Sequence, residues 1–425
     1  MQRIHMTVSP QSWGLERSNH KDSKHLAALG LPKAELEFRA RKNTYAWLAR
    51  QFDHDAGAFH GYYDPRTKRL ALPQTVNLIA PFQLIAAFDR YDDEQLLIMA
   101  RRAADWLEYS LVETHPMSLV LGGVRDDFKP TQLWTKYTAD YVTLNLALYE
   151  RMKDEELLAR AIRSSKFLLQ SQNHGFAPKY DHAIERWMEK GWQSFGRVIV
   201  AMIALQEFTG EEEWLDRAML WAEYGLGLQA ADGCFYLIND DYYSSDIAAD
   251  ELRALVRAGW RSERSRYLNA AAKFANWHLD NQLPNGAWPL SADRWGVSVG
   301  DYIGPGDIPN IAIAMLLMHK ATGDLKHLAS AVRALRYSVA QQCLPQQERP
   351  TFDDVRLHWG FWSWDPRYDH TMSADQSTHH CRGYWFFLDY FLSLPEETQT
   401  QVVALAGPPD PSLPHVPQKF LAEAK

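Results

Sequence analysis

Two stretches, Thr209-Gly-Glu-Glu-Glu-Trp-Leu and Thr322-Gly-Asp-Leu-Lys-His-Leu, are the same turn between paired helices, two periods apart. The helices that follow such turns also end alike, at Gln172-Asn-His-Gly, Gln229-Ala-Ala-Asp-Gly and Gln282-Leu-Pro-Asn-Gly. An Asn/Asp-Gly element supplies the left-handed residue that ends a helix and reverses the chain. A period of roughly 55 residues is too long for a tetratricopeptide or armadillo unit and fits a helical hairpin plus a sizeable loop.

Apolar periodicity places the helices. A first one spans Ala34 to Phe52, and then come pairs: Gln74 to Phe88 with Glu94 to Tyr109, and Trp134 to Met152 with Glu155 to Leu169. Next are Gln193 to Phe208 with Glu211 to Leu228, Asp246 to Ala258 with Arg264 to Leu279, and Asp307 to His319 with Leu325 to Ala340. A last helix runs from Asp375 to Leu392. The first helix lacks a preceding partner and the last lacks a following one, so pairing them closes six hairpins into a ring. An open solenoid would instead have short loops and polar end repeats. The expected fold is all-α, one (α/α)6 toroid over residues 34–394, with an N-terminal extension over 1–33 and a C-terminal helix and tail over 395–425.

The two members of each hairpin differ. Val198-Ile-Val-Ala-Met-Ile-Ala-Leu and Ile311-Ala-Ile-Ala-Met-Leu-Leu are apolar nearly all round, as an inner-ring helix must be. Leu325-Lys-His-Leu-Ala-Ser-Ala-Val-Arg carries a polar face and suits the outer ring. Loops into the inner helices are long and loops out of them short, so the long loops share one face of the ring and should frame a cleft there.

Composition narrows the partners. A formal net charge of -8 argues against nucleic acid or an anionic membrane as the main partner. Cys234, Cys343 and Cys381 are far apart, odd in number and without zinc spacing, which reads as thiols in a reducing compartment. The first ten residues lack the apolar segment of a signal peptide, and no run has the length of a membrane span, so the expected location is cytoplasmic. Sixteen Trp, nineteen Tyr and eighteen Phe, many in loops, suit the flat faces of sugar rings. No cofactor motif is present, and the acids near Asp240 lack an EF-hand pattern.

Candidate residues come from the long loops and the first turns of the inner helices. The loop from Trp288 to Asn310 contains Arg294, Trp295, Asp301, Tyr302 and Asp307, and loops of that length without secondary structure are usually functional. Other inner helices open with Trp134, Lys136, Tyr137 and Asp140, with Trp192, Gln193 and Arg197, and with Tyr243, Asp246, Asp250 and Glu251. The last is preceded by Trp362 and contains Asp375, His379, His380 and Arg382. Each has a plainer alternative: Asp246 as an N-cap, Asp307 as an N-cap or first-turn acid with Pro309 in the same turn, Glu251 in a solvated helix pair, one of the two histidines in the core, Trp362 packing a loop.

The Thr-Gly-Asp hairpins, Tyr243-Ser-Ser-Asp-Ile-Ala-Ala-Asp-Glu-Leu and Lys190-Gly-Trp-Gln together resemble (α/α)-barrel glycan-degrading enzymes of the unsaturated glucuronyl and rhamnogalacturonyl hydrolase type. That resemblance implies a catalytic Asp just after a Trp at the start of an inner helix. Here Leu133-Trp134-Thr135-Lys136-Tyr137 puts Lys136 in that place, with Asp140 one turn later. A second resemblance is to uronate polysaccharide lyases on the same toroid, whose β-elimination needs a carboxylate-neutralising group, a base and an acid. It implies Tyr302 as base or acid, with Arg294, His379 and Glu251 as its catalytic companions. Trp134, Lys136, Trp192, Gln193, Arg197, Tyr243, Asp246, Trp295, Asn310, Trp362 and His380 would bind an acidic oligosaccharide or polysaccharide. The leading expectation is therefore a uronate lyase. The alternatives are a glycoside hydrolase using two acids from Asp246, Asp250, Glu251, Asp301 and Asp307, a sugar 2-epimerase using His379 or His380, and a glycan-binding barrel without activity.

Overall fold

A computed structural model describes residues 23–238, 241–293, 302–345, 354–365, 371–417 and 420–421. Among them are fourteen α-helices: α1 (Lys24–Ala28), α2 (Lys33–Lys42), α3 (Ala80–Tyr91), α4 (Glu94–Ser110), α5 (Thr135–Met152), α6 (Glu155–Asn173), α7 (Phe195–Thr209), α8 (Glu212–Leu228), α9 (Ser245–Ser262), α10 (Ser265–Asp280), α11 (Asp307–Thr322), α12 (Leu325–Ala340), α13 (Ala374–Leu392) and α14 (Glu396–Ala406). The six odd-numbered helices from α3 to α13 pack side by side, each on the next, and α13 returns to α3. Their hairpin partners α4, α6, α8, α10 and α12 lie outside them, and α2 packs on α13 to complete the outer ring. The chain is an all-α (α/α)6 barrel.

Local chemistry sets the hairpins. Asp93, Asp154 and Asp324 cap α4, α6 and α12, each carboxylate accepting the backbone N–H two residues on. Gly210 and Gly323 end α7 and α11 with φ of 76° and 74°. Asp92, Lys153 and Glu263 hold the equivalent left-handed place after α3, α5 and α9 without being glycine, so the repeat is plain at only two of its turns. In α11 every residue from Asp307 to His319 is buried. No described helix is long and apolar enough to cross a membrane.

Two features depart from the expected elements. The first helix is not continuous to Phe52: after Lys42 it widens into a π-helical turn over Asn43–Trp47 and tightens into a 3-10 turn over Leu48–Gln51. Asn43 is anchored there, donating to the Trp359 carbonyl at 2.7 Å and accepting from Gln83 at 2.7 Å and Ser377 at 2.6 Å. Interior side-chain bonds of this kind hold a helix off its regular path. The long loops also carry short antiparallel strands that join successive repeats. Gln132–Trp134 pairs with Lys179–Asp181, Tyr242–Ser244 with Ser291–Asp293, and Tyr62 and Tyr63 with Ser373 and Met372. Their two- and three-residue lengths give no readable period.

The seam of the ring is polar. Arg90 on α3 pairs with Glu37 on α2 and, at 3.1 Å, with Asp389 on α13. Cys234, Cys343 and Cys381 are buried thiols.

Candidate active site

All six inner helices start on the face that bears the long loops, and their first turns converge around the axis. On α13, Asp375, His379 and Arg382 follow one another at helical spacing and form one stripe. On α9 the stripe is Asp246, Asp250 and Arg253, and on α5 it is Lys136 and Asp140. Arg197 comes from α7, Asp307 and Asn310 from α11.

Arg197 is the hub. Its guanidinium reaches Asp140 at 2.7 Å, Asp250 at 2.7 Å and Asp246 at 3.5 Å. Asp250 also pairs with Arg253. The ammonium of Lys136 sits 3.4 Å from Asp246 and 4.0 Å above the Trp192 ring. Lys179 lies 4.6 Å over Trp134, which is buried and so offers little surface to a ligand. The side chain of Asp246 keeps 34% of its accessibility although Lys136 from α5 and Arg197 from α7 close on it. A deep residue that water still reaches marks the floor of an open funnel.

The carboxyls differ in charge state. Burial raises the affinity of each for a proton, and the outcome depends on which cations answer it. Lys136 and Arg197 outweigh burial at Asp246 and hold it below the usual range. Arg197 and Arg253 do the same at Asp250, bringing it to about 2. At Asp140 burial prevails over Arg197 and raises it to about 6. At Asp307 burial is reinforced by the charge of Asp246, and the carboxyl is raised well above its ordinary range. Burial also raises Asp375. His379 is kept neutral, lowered to about 3 by burial and then by repulsion from Arg382.

The other expected residues are placed as follows. His380, one residue from His379, points the opposite way into the core, stacked 3.9 Å from Phe361 with Nδ1 2.6 Å from the Ser338 hydroxyl. Tyr243 is fully buried against Trp277, its hydroxyl 3.2 Å from His278. Both are core residues rather than binding residues. Glu251 is fully buried and accepts the Gly196 N–H at 2.6 Å, so it ties α9 to the start of α7 and has no face on the funnel. Gln193 donates to the Phe176 carbonyl, and Trp362 is buried. Asn310 is buried on α11 with its Oδ1 unpartnered. Tyr302 is 40% exposed, its carbonyl accepting from Leu290 at 2.8 Å. Arg294, Trp295 and Asp301 lie outside the described residues.

Asp246 is not the N-cap: α9 begins at Ser245 after Ser244, which puts Asp246 in the first turn. Asp307 is the first-turn acid of α11, which begins there after Gly306 with Pro309 in the same turn, and its carboxylate also accepts from Ser245 at 2.6 Å. Arg253 was not among the candidate residues, and Asp375 was named among them without a role. The usable signal was present: charges spaced by three or four residues within otherwise apolar helices. Among the described residues, no group of three or more His, Cys, Asp or Glu is arranged to hold a metal ion.

No protein-family model matches the sequence, and no curated protein matches it, so the comparison rests on solved structures. A sugar epimerase from a ruminal bacterium superposes with a TM-score of 0.65 at 16% identity, over 83% of this chain and 98% of that one. Cellobiose 2-epimerase from Bacillus thermoamylovorans gives a TM-score of 0.65 at 13% identity, over 82% and 98%. The unsaturated glucuronyl hydrolase of Bacillus sp. GL1, responsible for the degradation of glycosaminoglycan, gives 0.54 at 13% identity, over 85% and 96%. At these identities the likeness is one of fold, and it spans the barrel.

Proposed function

We propose that this chain is a carbohydrate-active enzyme, and specifically a glycoside hydrolase with Asp307 as general acid and Asp246 as its ionised partner. One observation carries the reading. Two acids at the starts of adjacent inner helices sit in opposed surroundings: Asp246 lies against Lys136 and Arg197, which hold its carboxyl below the ordinary range, whereas Asp307 is buried on the Ser245 hydroxyl, and burial with the charge of Asp246 raises it well above that range. Two carboxyls split in this way are what glycosidic hydrolysis requires. The half-buried Trp192, packed against the Lys136 ammonium, adds an aromatic ring at the funnel. The structural neighbours, epimerases and glucuronyl hydrolases by name, work on sugars in the same kind of barrel.

In the reaction, Asp307 gives its proton to the glycosidic oxygen as the C1–O bond breaks. In an inverting enzyme water attacks C1 and passes its proton to Asp246; in a retaining one Asp246 itself attacks C1, and water then cleaves the ester while passing its proton to Asp307, which has become the base. Arg197 and Lys136 keep Asp246 charged and fixed.

The lyase expectation depends on a cation next to Tyr302, from Arg294, Arg197 or Lys136; Lys136 and Arg197 are paired with carboxylates, and Arg294 lies outside the described residues. An epimerase would use His379, neutral and on the axial stripe of α13. A single panel separates the three. Incubation with neutral and uronate oligosaccharides is followed by reducing ends, ultraviolet absorbance and product chromatography. New reducing ends without absorbance support the hydrolase. A rise in absorbance from a C4–C5 double bond means the lyase, and an isomeric sugar with no new ends means the epimerase. Either of the last two overturns the assignment.

A further inference from the structure

Helix α11 starts inside the protein, where every residue from Ile303 to Asn310 is buried. The N–H groups at a helix start have no partner within the helix, and at a buried start water cannot serve them. Asp307 turns its N–H back to the Gly304 carbonyl at 3.0 Å. Gly306, at the N-cap, has no side chain to offer. Its own N–H goes to Oε1 of Gln376, in the first turn of α13, at 2.7 Å.

The two glycines of Gly304-Pro305-Gly306-Asp307 are there for room, since neither is left-handed. A Cβ on residue 306 would lie 2.5 Å from Oε1 and 2.8 Å from Cα of Gln376. One on residue 304 would lie 2.5 Å from Oδ2 of Asp307. Only glycine allows either approach. Ser245 on α9 holds that same Oδ2 at 2.6 Å, which leaves Oδ1 for a substrate. Both inner helices that flank α11 therefore grip its first turn, α9 by the carboxyl and α13 by the backbone that carries it.

We propose that Gln376 is a positioning residue for Asp307, fixing the start of α11 so that the carboxyl stays seated on Ser245. Without its oxygen the Gly306 N–H is left buried and unanswered, and the turn must shift to find another acceptor. Asp307 is the next residue and moves with it. A misplacement of about 1 Å at a reacting group costs about 100-fold in rate. The charges that face Asp307 are Asp246 of α9, Asp375 of α13 and Arg197 of α7, and the neutral Gln376 anchors it without adding to them. The effect on hydrolysis rests on the hydrolase reading, whereas the seating of the carboxyl does not.

Gln376→Met keeps the length of the side chain and removes the acceptor, while Gln376→Glu keeps the acceptor. The Met variant is expected to lower kcat by about 10- to 100-fold with KM within about twofold, and the Glu variant to recover most of that loss. The deciding measurement needs no activity: the melting temperature of each protein is compared with that of its Asp307→Asn derivative as pH rises. Folded Asp307 keeps a proton that the unfolded chain has lost, so stability falls with rising pH until the carboxyl ionises. The Asn-minus-Asp difference therefore climbs and then levels. In Gln376→Met the levelling point should fall by about one pH unit or more, because a carboxyl out of its seat is better hydrated. Gly306→Ala displaces the same oxygen and should act in the same direction, and in Gln376→Glu the point should not fall. A merely structural role lowers every melting temperature and leaves the levelling point in place. A point that stays put in the Met variant, or that falls as far in the Glu variant, overturns the positioning role. If it moves as expected but Asp307→Asn still hydrolyses at the wild-type rate, the positioning stands and the acid assignment alone falls.

Discussion

The hydroxyl of Ser245 donates to Oδ2 of Asp307 across 2.6 Å, so the residue before Asp246 on one inner helix holds the acid at the start of the next. This bond stabilises the charged form of Asp307 and is outweighed by burial and by Asp246. In Ser245→Ala the alkaline limb of the kcat profile should move to higher pH, with kcat lower and KM little changed. A limb that stays in place or moves down argues against Asp307 as the acid.

Removing either carboxyl should be severe but in different ways. Asp307→Asn and Asp246→Asn are each expected to lower kcat by about 100- to 10,000-fold, the usual contribution of a positioned acid or base. Asp307→Asn should recover much of its rate on aryl glycosides, whose leaving group departs without a proton, and Asp246→Asn should not. Rate constants on alkyl and aryl substrates check this.

Asp140 predicts a pH signature in stability. Its carboxyl is raised from an ordinary 3.8 to about 6 by burial. The folded state therefore holds a proton that the unfolded chain has lost, and the stability linked to it falls as pH rises through that interval. Asp140→Asn lacks this loss. The melting-temperature difference, variant minus wild type, should climb between pH 4 and pH 6 and level off above. A flat difference would mean that Asp140 titrates normally.

The contact of Glu251 with Gly196 predicts opposite results for two substitutions. A Cβ on residue 196 would fall 2.5 Å from the Asp250 carbonyl, so Gly196→Ala must push α7 and α9 apart. It should cost about 1–3 kcal/mol, as overpacking does, and reduce activity through Arg197. Glu251 is held well above its ordinary range by burial, which favours the protonated form. Glu251→Gln keeps the shape of that form and should leave kcat within about twofold, a change too small for an acid–base group. Denaturant melts and steady-state kinetics measure both.

The ring was legible because its signal is periodic and long. The apolar turns of α7 and α11, and the glycines after them, require inner helices and tight exits. The funnel was legible in outline for the same reason, since topology alone puts every long loop on one face. What could not be read was direction. His379 and His380 are neighbours in sequence and about 100° apart around the helix, so one faces the axis and the other Ser338. Only the position of α12 decides which. Lys136 and Arg197 looked like free cations for an acidic ligand, but Asp140, Asp246 and Asp250 occupy them.

The seam of the ring has a consequence for how the chain is made. The Asn43 turn leaves the ribosome early, whereas Ser377, whose hydroxyl it accepts from, is made some 330 residues later. Until α13 is released, the nascent chain is an open arc with an apolar inner edge, and Asn43 has only part of its final set of bonds. Asp375, His379 and Arg382 arrive on that same last inner helix. Vectorial synthesis thus completes the funnel and the fold in one event, and a chain truncated before α13 has neither.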